Sequence, residues 1–326
     1  MRFSTAFLLA CLPASLAAQM LLVANQRVAT VALINPATNQ VTATIAENTS
    51  SSWGHELATT PDGKTAYLPI YGSAGLGNPG IDGREILALD IPTRSVKAHI
   101  DLGHGVRPHC IRFDPTSGLF FLTTELDQTV SILDPHTNTI VGSIPTGSPD
   151  SHMLALSHDG HFGYTANFST GSVSILDLKA RKLLAVLPLA PTLQRISISN
   201  DDRYVFTSNY TTPELIVLDT KTRAVVKRIP LPTLGSGSTL TPDGKSLLIA
   251  LAKTNQVGVI DLTTLTLSRT IPVADNPQAL LIRPDGKFAY VCCPKAGSVS
   301  VIDTATWKTT ATIPSGPSSD GLAWAQ

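Results

Sequence analysis

One phrase recurs along this chain and limits its fold more than anything else in it. "VALINPATN", "LALDIPTR", "SILDPHTN", "SILDLKAR", "IVLDTKTR", "GVIDLTTL" and "SVIDTATW" each join an apolar run to an acidic or amide anchor and a polar turn. The anchors fall at Asn35, Asp90, Asp134, Asp177, Asp219, Asp261 and Asp303, spaced by 55, 44, 43, 42, 42 and 42 residues. Seven copies at a period of about 42 describe one supersecondary unit that cannot bury its apolar faces alone and must stack on its neighbours.

Each unit holds four short apolar or alternating runs, as in "HMLALSHDGHFGYTANFSTGSVSILDLKARKLLAVL". Asp-Gly pairs, Asn and Ser-Gly separate them and supply the tight or left-handed backbone that hairpins need. Four antiparallel strands per unit, seven units and no sustained helical period predict an all-β protein, a seven-bladed β-propeller of four-stranded antiparallel blades. The ends fit a closed ring. "MLLVANQ" matches the second strand of a unit and "SSDGLAWAQ" the first, so the C-terminal strand is expected to complete blade one.

The motifs "GYTANFSTGSVSILD" and "FAYVCCPKAGSVSVID", with the turns "TPDGK" and "RPDGK", resemble those of the YVTN-repeat, YncE-like secreted propellers over essentially the whole mature chain. The resemblance implies the fold. It does not choose a function, because similar rings host lactonases, lyases, metal and cofactor sites and plain binding modules.

The N-terminal "MRFSTAFLLACLPASLAAQ" carries one arginine, an apolar run and small residues near Ala17 and Ala18, the layout of a secretory signal peptide over residues 1–18. A lipoprotein reading with Cys11 as the lipidated residue is the weaker alternative. Residues 19–326 then form a single propeller domain that is secreted, or periplasmic or at the cell surface in a bacterium; no later stretch is apolar enough for a membrane span. Basic and acidic residues balance at 24 each with no long basic run, so no nucleic acid partner is expected. The expected partner is a small-molecule substrate or ligand, and a monomer is favoured. Cys110, Cys292 and Cys293 are an odd set without a disulfide framework, better read as buried free thiols. Sequons at Asn48, Asn167 and Asn209 would make a glycoprotein of the chain in a eukaryotic source.

Aligning the units on their "PDG" turns places His55, His109, His152, Gln194, Ser236 and Gln278 in one column, with Asp320 as the nearest counterpart in the last unit. The column belongs at one mouth of the central channel. Three imidazoles there are either inherited packing from blade duplication or a functional cluster, and their polarity favours the cluster. His55, His109 and His152 would suit Zn or another first-row divalent metal ion, with Gln194 as a possible fourth ligand, where the resemblance to related propellers implies a carboxylate. Glu56, Tyr71 and Glu125 are candidates for proton transfer, and His104, Arg107 and Arg195 for holding a carboxylate or oxyanion. Glu56 could instead orient an imidazole, and Arg195 could be a surface charge.

An insertion at about 71–85 in blade two adds a lid, a specificity element or simple decoration. It contains Gly75, Gly77 and Gly80 in a GxGxxG spacing, but Asn78 and Pro79 interrupt it and no helix follows, so no nucleotide cofactor is expected. His99, His136, His158 and His161 fall in outer strands or turns. The function expected is a metal-assisted hydrolase, lyase or isomerase acting on a small oxygenated metabolite such as a lactone. The competing expectation is a non-catalytic binding or surface protein that docks a glycan, peptide or protein on the same face, with Tyr71, Phe168 and Tyr210 as exposed aromatics.

Overall fold

The computed structural model describes residues 19–49, 53–75 and 79–325. The signal-peptide expectation for residues 1–18 lies outside them. Among the described residues twenty-eight strands form seven four-stranded antiparallel sheets, six of them in chain order and one closed by the C-terminal strand, so the seven-bladed propeller expected from the repeat is the fold. Among the described residues the helical elements are two short 3-10 turns, Gln26–Val28 and Ala252–Thr254. No helix among the described residues is long and apolar enough to cross a membrane.

Ring closure follows the sequence. The strand β1 (Met20–Asn25) pairs on one side with β2 (Thr30–Asn35) and on the other with the C-terminal β28 (Ser319–Ala325), which becomes the inner strand of blade one. The remaining inner strands are β4 (Ala58–Thr59), β8 (Pro108–Asp114), β12 (Ser151–Leu156), β16 (Leu193–Ile198), β20 (Ser238–Leu240) and β24 (Leu280–Ile282).

The core lies between blades, not inside them. Side chains alternate faces along a strand, so Leu22 and Ala24 of β1 pack towards blade two while Leu21 and Val23 pack towards blade seven. The same division of the middle strands continues around the ring as one annular apolar layer. The anchor residue of each repeat closes the outer hairpin. Asp134 Oδ1 accepts the backbone N–H of His136 at 2.8 Å, its carbonyl accepts that of Asn138, and Asn138 adopts φ 55°. Such Asx turns are why the acidic residue recurs at this place in the unit.

Cys110, Cys292 and Cys293 are buried free thiols, and burial pushes each thiol up. The sequon expectation needs correction. Asn167 is fully buried, its amide donating to Ser172 and Ser174, and Asn209 is buried with its amide on Glu214; neither nitrogen is available to a glycan in the folded ring. Asn48 alone of the three is exposed. The blade-two insertion is mostly a longer hairpin: β5 (Thr65–Gly72) and β6 (Asp82–Asp90) extend past the usual strand length, and Gly75 and Gly80 belong to the loop joining them.

Deleting residues 319–326 should leave β1 as an open edge and the apolar layer between blades one and seven uncovered. The truncated protein is expected to aggregate or lose its cooperative melt, whereas removal of Gln326 alone should change nothing; calorimetry and size-exclusion chromatography check this.

Candidate functional site

The column found by alignment lies in backbone bulges. Between Pro108 and Ile111, two residues of β8 oppose the single Thr123 of β9 (Leu119–Thr124). His152 is the extra residue where β12 meets β13 (Phe162–Asn167). Gln194 and Arg195 together oppose Ser208 of β17 (Tyr204–Asn209), and Asp320 and Gly321 oppose Ala24. A bulge re-aims the side chains it carries and ends regular pairing. Here it turns the column into the channel mouth. Second-strand hydroxyls brace it: Thr123 Oγ1 accepts from the Cys110 N–H and donates to the His152 carbonyl, and Thr207 donates to the Arg195 carbonyl.

The resulting cavity holds about 230 Å³ and is lined by Gln26, His55, Tyr71, His109, His152, Gln194, Arg195, Gln278 and Asp320, among others. Tyr71, Glu125 and His152 form a buried relay. The Tyr71 hydroxyl donates to Glu125 Oε2 at 2.8 Å, and Glu125 Oε1 is 2.5 Å from His152 Nδ1. A carboxylate can only accept, so in the neutral ring Nδ1 carries the proton and Nε2 the lone pair. Burial first, then the Glu125 charge and hydrogen bond, push the Tyr71 hydroxyl far above the usual phenol range, so it stays a donor.

His109 stacks on His152 with ring centroids 3.9 Å apart and a tilt of 30°, and meets His55 at 5.0 Å. Burial, then the neighbouring His152 and His55, hold it well below the ordinary imidazole range, so it is neutral; its Nδ1 is buried without a partner. His55 Nδ1 lies 2.8 Å from the Gln26 amide nitrogen and 3.2 Å from Asp320 Oδ2, and its Nε2 is also buried without a partner. Burial raises the Asp320 carboxyl, but hydrogen bonding from His55 and the charge of Arg195 outweigh it and bring it down to about 2.

Arg195 reaches across the axis from blade five. Its Nη1 donates to Glu56 Oε1 of blade two at 2.8 Å and its Nη2 to Asp320 Oδ1 of blade one at 3.3 Å. Burial opposes its charge, but Asp320 and Glu56 hold the guanidinium protonated. Glu56 Oε2 is also 3.6 Å from Arg112. Glu56 is therefore a structural counter-ion, and Arg195 is committed to two carboxylates although it lines the mouth.

The other sequence candidates are not brought into the cavity. Arg107, at φ 49°, spends its Nε on Asp82 at 2.6 Å; His104 is exposed and pairs with Asp127. Gln194, by contrast, does line the cavity. Two members were missed, Gln26 and the role of Asp320. Aligning the residues that follow each second strand, as was done for the first, sets Gln26, Glu125, Phe168, Tyr210 and Pro294 in one further column.

The three imidazoles converge as expected, yet among the described residues no three His, Cys, Asp or Glu side chains are arranged to hold a metal ion. Two imidazoles on one tetrahedral ion put their centroids roughly 5 Å apart, given Zn–N bonds of about 2.0–2.1 Å. His55 and His109 match that separation. His109 and His152, stacked at 3.9 Å, do not.

Fold and mouth together define a seven-bladed propeller with an imidazole-lined channel entrance. Residues 114–239 match the family described as Cytochrome D1 heme domain. Among solved structures the chain is similar to Kuenenia stuttgartiensis Hydrazine Synthase, with 20% identity, a TM-score of 0.76, and 88% of this chain and 92% of that one covered, a likeness of fold alone. No curated protein matches the sequence. A haem does not fit the mouth. Its 230 Å³ is below the roughly 300–1,000 Å³ that encloses a drug-sized ligand, and a tetrapyrrole is larger still.

Two stability experiments follow from these charges. Arg195→Met strands two buried carboxylates and should cost about 3–5 kcal/mol, measured by denaturant unfolding; a loss below about 1 kcal/mol would contradict the brace. His109 and Glu47 set opposing pH slopes. His109 is neutral when folded but protonates below about 6.5 once unfolded, so its contribution to stability is lost as pH falls through that range. Glu47 is raised to about 7 by burial, so its contribution is present at low pH and lost as pH rises from about 4.5 to 7. Between pH 5 and 6.5 His109→Asn should therefore lose stability as pH rises and Glu47→Gln as it falls, each by at most about 1.4 kcal/mol per pH unit. Unchanged slopes in both variants would contradict the assignment.

Proposed function

We propose that this chain is an exported, YVTN-type propeller enzyme that moves a proton on a small oxygenated molecule at the histidine mouth. Hydrolysis, elimination and isomerisation are the reaction types that fit. The observation that carries the proposal is the relay from Tyr71 through Glu125 to His152. Glu125 fixes the imidazole tautomer and orientation and faces the imidazolium formed when Nε2 takes a proton. The Tyr71 hydroxyl holds the far oxygen of Glu125 and so fixes the carboxylate in line with the ring. Neutral His109 and the amide of Gln194 offer hydrogen bonds to a hydroxyl or carbonyl without adding charge, while the Gln26 amide is spent on His55 and Asp320. Arg195 and Asp320 keep the floor of the site polar but electrically compensated, which suits an uncharged substrate. The N-terminal apolar run supports export, and the repeat phrases support membership of the YVTN-type group.

A second reading, a binding module, is favoured by one observation: Phe168 and Tyr210 lie 5.8 Å apart beside His152, and Tyr210 is 41% exposed. Such a pair offers a stacking surface for a sugar or peptide side chain.

A panel of lactones and hydroxy-carbonyl compounds distinguishes the two. On a substrate that is turned over, His152→Ala and Glu125→Gln should lower kcat/KM by about 10²–10⁴-fold, with a smaller loss for Tyr71→Phe. Full activity in His152→Ala would overturn the proposal. Ligand binding without turnover, lost in Tyr210→Ala and kept in His152→Ala, would establish the binding module instead.

A further inference from the structure

The ring has a second cavity, on the face opposite the histidines. It holds about 550 Å³, within the roughly 300–1,000 Å³ of ligand pockets. His55 lines one cavity and Glu56 the other, so the Arg195–Glu56 ion pair is the partition between them. The lower walls carry apolar side chains from successive inner strands. Phe113, Leu156, Leu240, Leu281 and Trp324 are only partly buried there, facing a water-accessible channel. A channel that served only as a gap between blades would gain nothing from exposing so much apolar surface, since exposed apolar patches carry a solvation cost that a bound apolar body removes.

The charge at the inner end is uneven. Glu56 is held by Arg195 at 2.8 Å and is only 3.6 Å or more from Arg112, so Arg112 is the less compensated cation of the network. Arg112 Nη1 donates to the Ile111 carbonyl at 2.9 Å and has Glu56 as its other partner at 3.6 Å, and its side chain is 34% exposed. Arg112 lines the inner end of this lower cavity. Halfway along, the hydroxyls of Ser197 and Ser238 bond to each other at 2.8 Å, which lets the wall satisfy its own polar atoms without a ligand group.

We propose that this lower channel is a separate binding site for an amphipathic monocarboxylate, with the carboxylate on Arg112 and the apolar tail along the Phe113, Leu240 and Trp324 walls. A partly exposed guanidinium takes a carboxylate in a fork geometry, and the tail is desolvated against the apolar walls. The proposal is independent of the chemistry at the histidine mouth, because the ion pair separates the two.

Octanoate is the probe, with octanol as its uncharged counterpart, followed by calorimetry and by Trp324 fluorescence. Wild type should bind octanoate at least tenfold more tightly than octanol. Arg112→Gln should abolish that preference, and Ser238→Phe, which fills the channel, should remove binding of both. His152→Ala should leave both affinities unchanged. Absence of octanoate binding at millimolar concentration, equal affinity for octanoate and octanol in wild type, or octanoate binding that survives Ser238→Phe or is lost with His152→Ala would overturn the proposal. Should Arg112→Gln fail to fold, the octanoate-to-octanol ratio and Ser238→Phe still decide it.

Discussion

A single guanidinium holds the centre of this ring. Arg195 extends from blade five to carboxylates of blades two and one, and everything at the channel mouth is arranged around that crossing. A buried charge pair gains stability only when its geometry is good and its remaining hydrogen-bonding sites are filled. Asp320 meets that demand through Gln26 and His55, and Glu56 through Arg112. The network therefore does more than close a hole. It orients His55 and separates the upper cavity from the lower one.

The His152 side of the mouth depends on the same logic with different partners. Glu125 comes from the turn after a second strand, His152 from the bulge of the next blade, and Tyr71 from the extended hairpin of blade two. Three blades thus supply one relay. Propeller geometry makes this cheap in backbone terms, because each bulge only has to turn one side chain towards a common axis.

The fold was legible because the repeat encodes its own turns. An anchor such as Asp134 recurs since its carboxylate caps the hairpin, and the apolar runs recur since alternate residues feed the two neighbouring interblade cores. The histidine column was legible for the same reason: equivalent positions in equivalent blades face the same axis. What was hidden depends on contacts between distant parts of the chain. Glu56 and Arg195 stand 139 residues apart, and nothing in either segment announces the other. Arg107 and His104 sit in a loop whose direction no strand period fixes, and they turned to Asp82 and Asp127 instead. The stacking of His109 on His152, which spoils a tetrahedral arrangement of the three rings, depends on bulge geometry that spacing alone does not carry. Asn167 has the pattern of a glycan acceptor, but its side chain is the hub of a buried hydrogen-bond cluster.

The central claim is that the mouth holds a carboxylate-oriented base beside an imidazole kept neutral. Nitrogen-15 NMR of the histidine rings between pH 5 and 8 tests it most directly. The account predicts a proton on Nδ1 and a bare Nε2 for His152 in its neutral form, and a His109 ring that stays neutral across the whole range. A neutral His152 protonated on Nε2, or a His109 that titrates near the ordinary imidazole value, would contradict it.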